Sequence, residues 1–178
     1  RLGQISRYWD WTPRANPTAF WQYWDGTAPT HHLYGLRAAL DMIGEEGIEA
    51  VWHRHAVLAR AVWAAVGAWG EPLRLNVADP AHRSHAVTAC AIGGDLGLRL
   101  QDWTRDVAGL TLGVGLGREP EAAWFRIGHM GHVNAVMVLG ALATIEAGLQ
   151  ALDVPHGRGA VDAAAAVIAA ASRAGQPG

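Results

Sequence analysis

Lysine is missing from this chain: Lys and Arg together number 14, and all 14 are arginines. No side chain here can offer a primary amine for covalent chemistry at a carbonyl carbon. Arginine in place of lysine, beside abundant alanine and glycine, is also what a GC-rich coding sequence produces, so low lysine usage by itself has a compositional explanation. Cysteine is reduced to Cys90, which cannot close an internal disulfide, and nothing points to secretion. No apolar run reaches the roughly 18 residues of a membrane span, because arginine, histidine or acidic residues interrupt each candidate. The N-terminus carries no signal-peptide pattern. A formal net charge of −2 provides no field for nucleic acid or an anionic membrane. A soluble cytoplasmic protein is the expectation, and 178 residues with 51% hydrophobic content suffice for one domain with a proper core.

Tryptophan is plentiful instead, with nine in the chain, and Trp9, Trp11, Trp21 and Trp24 fall within the first 25 residues. Such a block is either a packed aromatic cluster or the rim of an interface or active site. With Pro13 and Pro17 and no sustained period, it reads as an irregular segment that depends on something else for its shape.

From Pro29 the pattern turns helical, with His32, Leu33, Leu36, Leu40 and Ile43 at helical spacing in a helix ending near Gly44. Gly47 separates it from a longer helix, Ile48 to Trp69, whose face carries Val51, His55, Leu58, Val62 and Val66. Alternation predicts strands at Leu73 to Val77, Ser84 to Ile92, Leu110 to Val114 and Trp124 to Met130. Helices are expected after Gly93-Gly-Asp95 to about Val107, over His132 to Leu149, and over Gly159 to Ala171. This order implies an α+β layer, a small and mainly antiparallel sheet covered by helices.

Within that frame the segment Trp124-Phe-Arg-Ile-Gly-His-Met-Gly131 is the most informative. It sets Arg126 among apolar residues, where a charged guanidinium needs a partner. A planar carboxylate fits, and Gly128 and Gly131 let the backbone approach whatever is held. The carboxylate is either the protein's own, in a structural ion pair, or a substrate's.

Three blocks in order, Thr27-Ala-Pro-Thr-His-His-Leu-Tyr-Gly-Leu-Arg37, Gly113-Val-Gly-Leu-Gly117 and Phe125-Arg-Ile-Gly-His-Met-Gly131, resemble the C-terminal part of the class V aminotransferases, in the alanine-glyoxylate and pyridoxamine-pyruvate branch. The resemblance implies fold-type I chemistry with pyridoxal 5'-phosphate (PLP), in which an active-site lysine forms a Schiff base with the cofactor. Family members carry that lysine upstream of this region, so the chain is read as the C-terminal portion of a longer enzyme, and it opens at Arg1 without a methionine. Alone it is expected to be inactive. Residues 1–45 would be the tail of the large PLP-binding domain, and residues 46–178 the small C-terminal domain; the boundary near Gly47 rests on the resemblance.

By the same resemblance Arg126 falls on the arginine that binds the substrate carboxylate, and Thr27 on the threonine that helps hold the cofactor phosphate across the dimer. The branch has tyrosine where this chain has Trp24, and histidines where it has Asp25 and Gly26, with Tyr23 one position off. Trp24 is the cofactor-binding candidate there, while an acidic Asp25 would repel phosphate unless it points away. Gly113, Gly115 and Gly117 are expected to form a lid-like turn. Arg118 is one residue out of register with a second carboxylate-binding arginine and is not assigned. The His82/His85 and His129/His132 pairs have H-x-x-H spacing, but no carboxylate or cysteine completes a metal set. The expected activity moves an amino group between a small amino acid or amine and an oxo-acid such as glyoxylate or pyruvate, in a homodimer. The alternative is a truncated chain with a structural or interaction role.

Overall fold

A computed structural model describes residue 6 and residues 9–24 and 26–174. The chain divides into two compact units, Arg1–Ile48 and Glu49–Gly178.

In the first unit, Pro13 opens a one-turn helix, α1 (Thr12–Ala15), and a 3-10 turn follows at Phe20–Tyr23. The side chain of Gln22 braces that turn by accepting the Thr18 and Ala19 amides. Helix α2 (Thr30–Glu46) stops at Gly47, whose φ of 85° suits a residue without Cβ. The apolar stripe of α2 is not covered within its unit: no residue of α2 is buried, and Leu36 and Leu40 are each 54% exposed. Indeed no described residue of this unit is buried. A period of 3.6 gives a helix an apolar face, but only a second layer can bury it.

The second unit is built on α3 (Ile48–Trp69), whose Leu58, Ala61, Val62, Ala65, Val66 and Trp69 line the core. Four short strands follow, β1 (Arg74–Leu75), β2 (Val87–Ala91), β3 (Gly113–Val114) and β4 (Trp124–Gly128), with helix α4 (Leu96–Ala108) between β2 and β3. Helices α5 (Ala135–Ala151) and α6 (Ala160–Ala174) complete the unit. All pairings are antiparallel, in the order β1-β2-β4-β3. The α+β architecture is therefore the one expected, with a fully antiparallel sheet.

The strands are shorter than alternation predicts, for local reasons. Arg83 draws the Val77 and Ala78 carbonyls out of the ladder with bonds of 2.9 and 2.6 Å. The Leu110 amide is spent on closing α4, bonding the Thr104 carbonyl at 2.8 Å. The Ile92 amide pairs with Ala123, outside the β2–β4 register.

Alternation nevertheless sets the two faces of the sheet. Thr88, Cys90, Phe125 and Ile127 are buried, the last three in one core with Leu142, Ile145 and Leu149 of α5. The opposite face presents Val87, Ala89, Trp124, Arg126 and Gly128, exposed or half-buried. The residues with chemistry sit on that second face.

Candidate functional site

Arg126 stands in the middle of β4, directly opposite Ala89 of β2 on one side and Gly113 of β3 on the other. Small neighbours on both flanks leave the half-buried guanidinium room. Its Nε donates to the Val114 carbonyl at 2.7 Å. Among the described residues no carboxylate lies within ion-pair distance, and Nη1 and Nη2 have no protein partner. Of the two readings of Arg126, the internal ion pair has no acid to support it here. What the arrangement can do is receive a planar anion on an outward-facing pair of N–H donors, held by a strand instead of a loop.

The glycine block has a different role from the lid-like turn expected. Gly113 lies in β3, and a Cβ there would stand 3.1 Å from the Arg126 Cβ. A Cβ at Gly115 would meet the Glu121 carbonyl oxygen and the Trp124 Cβ, both at 2.6 Å. Only Gly117, with φ of 71° and open space around it, serves a turn. Arg118 stacks over the Trp124 ring at 5.3 Å. A Cβ at Gly128 would meet nothing within 4 Å, so no close approach within this chain requires glycine there. Gly131 is needed for its φ of 92°; its amide donates to His55 Nε2 at 3.0 Å and its carbonyl accepts from Arg54 at 2.9 Å.

His129, one residue beyond β4, is fully buried, and its bonds identify its tautomer. Nδ1 faces the His85 carbonyl at 3.0 Å, which can only accept, so Nδ1 carries the proton. Nε2 then accepts from the Thr88 hydroxyl at 2.8 Å, whose oxygen accepts from Trp63 Nε1 at 3.0 Å. Every polar atom of this relay is satisfied with a neutral imidazole, and burial holds His129 below the usual histidine range. The H-x-x-H spacing could not reveal this, because the partners come from α3, from β2 and from the turn before β2. Among the described residues no group of three His, Cys, Asp or Glu is placed to hold a metal.

Thr27 and Trp24 belong to the first unit and Arg126 to the second. Thr27 is exposed, three residues before α2. Trp24 ends the 3-10 turn, half-buried, with its ring against Phe20 at 6.5 Å. Its Nε1 is a buried donor without a partner among the described residues, and Trp24 borders a cavity of about 540 Å³ lined also by Trp9, Trp11, Arg14, Ala15 and Tyr23. Three of the four early tryptophans, Trp9, Trp11 and Trp24, line this cavity. An orphaned N–H is costly unless an acceptor reaches it, and a phosphate oxygen is such an acceptor. Thr27 is not among the residues lining that cavity, so only the Trp24 indole offers an orphaned donor there, and the amine that a Schiff base with PLP needs is not among the 178 residues. Asp25 lies outside the described residues.

An antiparallel sheet packed under helices is the fold of the corresponding part of solved aminotransferases. The chain belongs to the class V aminotransferases and corresponds to their C-terminal portion. It is 39% identical to serine–glyoxylate aminotransferase of Methylorubrum extorquens over 84% of this chain and 36% of that protein. It is 38% identical to the Arabidopsis thaliana serine–glyoxylate aminotransferase, over 89% of this chain and 39% of that one. The crystal structure of pyridoxamine-pyruvate aminotransferase from Mesorhizobium loti superposes with a TM-score of 0.78 at 30% identity, covering 90% of this chain and 40% of that chain. No family model matches the chain. The chain thus spans well under half the length of the relatives it resembles.

Proposed function

We propose that this chain is the acid-binding portion of a PLP-dependent aminotransferase that moves an amino group from a small amino acid or amine to an oxo-acid such as glyoxylate or pyruvate. The observation that carries the reading is the Arg126 fork, half-buried on the open sheet face, with Nη1 and Nη2 unpartnered and no acid beside it among the described residues. Relatives named for glyoxylate and for pyruvate supply the substrate class, since both acceptors present a carboxylate beside a carbonyl.

PLP, when bound, supplies the electron sink that makes amino-group transfer possible. The residues here do the holding. Trp24 Nε1 and the Thr27 hydroxyl would donate to phosphate oxygens, and Arg126 would hold the substrate carboxylate. The apolar stripe of α2, left uncovered within its unit, suits a homodimer in which sites are shared. The lysine must come from polypeptide outside these residues, so this fragment by itself is proposed to be inactive, in the cytoplasm as elsewhere.

The test is Arg126→Ala in the polypeptide that contains this sequence together with its lysine. Loss of two charge-assisted bonds, about 2–4 kcal/mol, should raise the oxo-acid KM about 30- to 700-fold. Unchanged kinetics would reject the role. Cofactor absorbance that borohydride fixes to the protein should accompany the activity, and its absence would favour the structural alternative.

A further inference from the structure

Gly113 differs from the chain's turn glycines in that its backbone does not require glycine. Its φ lies outside the left-handed region that marks Gly117 and Gly131, so an alanine could adopt the same backbone. What excludes a side chain is Arg126. A Cβ at position 113 would lie 3.1 Å from the Arg126 Cβ, 3.3 Å from Nε and 3.6 Å from Cζ. The side chain of Arg126 therefore runs across the bare backbone of β3, and the next residue along that strand, Val114, takes its Nε at 2.7 Å.

We infer that Gly113 is a positioning residue for carboxylate recognition: by lacking a side chain it lets Arg126 lie against β3, where the Val114 carbonyl fixes the direction of its fork. This rests on the reading of Arg126 as the carboxylate-binding group. A guanidinium has two kinds of bidentate edge, Nε with one Nη, or Nη1 with Nη2. Val114 occupies the first kind, so the acid must approach end-on, along the axis of the side chain. With alanine at 113, the Arg126 side chain must give by a few tenths of an ångström. The Arg126 Cβ is held by strand pairing to both neighbours, and Nε is held by its hydrogen bond. The relief open to the side chain is rotation, which breaks the Nε bond and swings the fork.

The experiment compares Gly113→Ala, Gly113→Val and Arg126→Ala in the same full polypeptide, with glyoxylate and with glycolaldehyde, an aldehyde of similar size without the acid group. Gly113→Ala should raise the glyoxylate KM about 10- to 100-fold, Gly113→Val more, with kcat little changed. The glycolaldehyde parameters should stay as in the wild type. A glyoxylate KM within about two-fold of wild type in Gly113→Ala, while Arg126→Ala raises it, overturns the inference and leaves the Arg126 reading standing. Equal losses on both substrates overturn it too, as a packing effect. No effect of Arg126→Ala removes the reading beneath it. A second measurement needs no folded variant: in the arginine-15N-labelled wild type, the Arg126 Nε–H should exchange with solvent at least about 10-fold more slowly than that of exposed Arg99. Equal exchange rates would refute the clamp.

Discussion

Replacing Thr88 by valine preserves shape and removes one hydroxyl, and the structure says what that hydroxyl supports. It donates to His129 Nε2 at 2.8 Å and accepts from Trp63 Nε1 at 3.0 Å. His129 is fully buried, so its Nε2 would be left without a donor, a loss of about 1–3 kcal/mol. Trp63 is only half-buried and borders a cavity of about 60 Å³, enough for a water, so its N–H would recover a partner at a cost of about 1 kcal/mol or less. The expected total is about 1–4 kcal/mol, which at this chain length lowers Tm by about 2–4 °C per kcal/mol. Thr88→Ser keeps the hydroxyl and loses one methyl, about 0.8 kcal/mol. Urea titrations followed by tryptophan fluorescence, with Tm from circular dichroism, give the comparison. A valine variant as stable as wild type, or no worse than the serine variant, would refute the assigned bond network.

Other expectations follow from the same core. Because burial lowers the His129 pKa, the folded state binds its proton less readily than the unfolded chain does; its stabilisation is complete above about pH 6.5 and lost as pH falls toward the depressed folded value. The decline in urea midpoint between about pH 7.5 and 5.5 should be shallower in His129→Gln, and an identical slope would contradict the neutral, buried imidazole. Gly97→Ala would set a Cβ 2.6 Å from the Trp124 amide nitrogen and 2.7 Å from the Ala122 carbonyl oxygen, backbone atoms that cannot rotate away. A destabilisation of about 2–3 kcal/mol by urea unfolding is expected, and a neutral result would mean that α4 does not seat so tightly on β4. Burial pushes the Cys90 thiol up to about 12, and the side chain has no exposure. A thiol reagent at pH 8 should label it only after urea is added, and rapid labelling of the native chain would show an open core.

The helices were legible because each needs only local information, whereas the β1-β2-β4-β3 order of the sheet was not, since strands choose neighbours only as the chain folds. Ile48 to Trp69 has a period of 3.6 between two glycines, and its helix is found between those residues. Strand ends were less legible, since the amides and carbonyls that leave the ladder at Val77, Ala78 and Leu110 are claimed by Arg83 and by the end of α4. Gly113 was visible as part of a glycine-rich block, yet its purpose was not, because the arginine it accommodates is thirteen residues away in sequence and adjacent only across the ladder.

Sequence alone determined that Arg126 would stand on a strand among apolar residues and need an acid partner, that these 178 residues hold no lysine, and that the chain resembles an aminotransferase. Periodicity and composition settle such matters because they depend on which residues occur and how they alternate. Tertiary structure decided which partner each polar group finds: Val114 for Arg126, Thr88 and the His85 carbonyl for His129, and none among the described residues for the Trp24 indole. Hydrogen bonding acts over about 3 Å, and residues distant in sequence come within that range only when strands pair and helices pack.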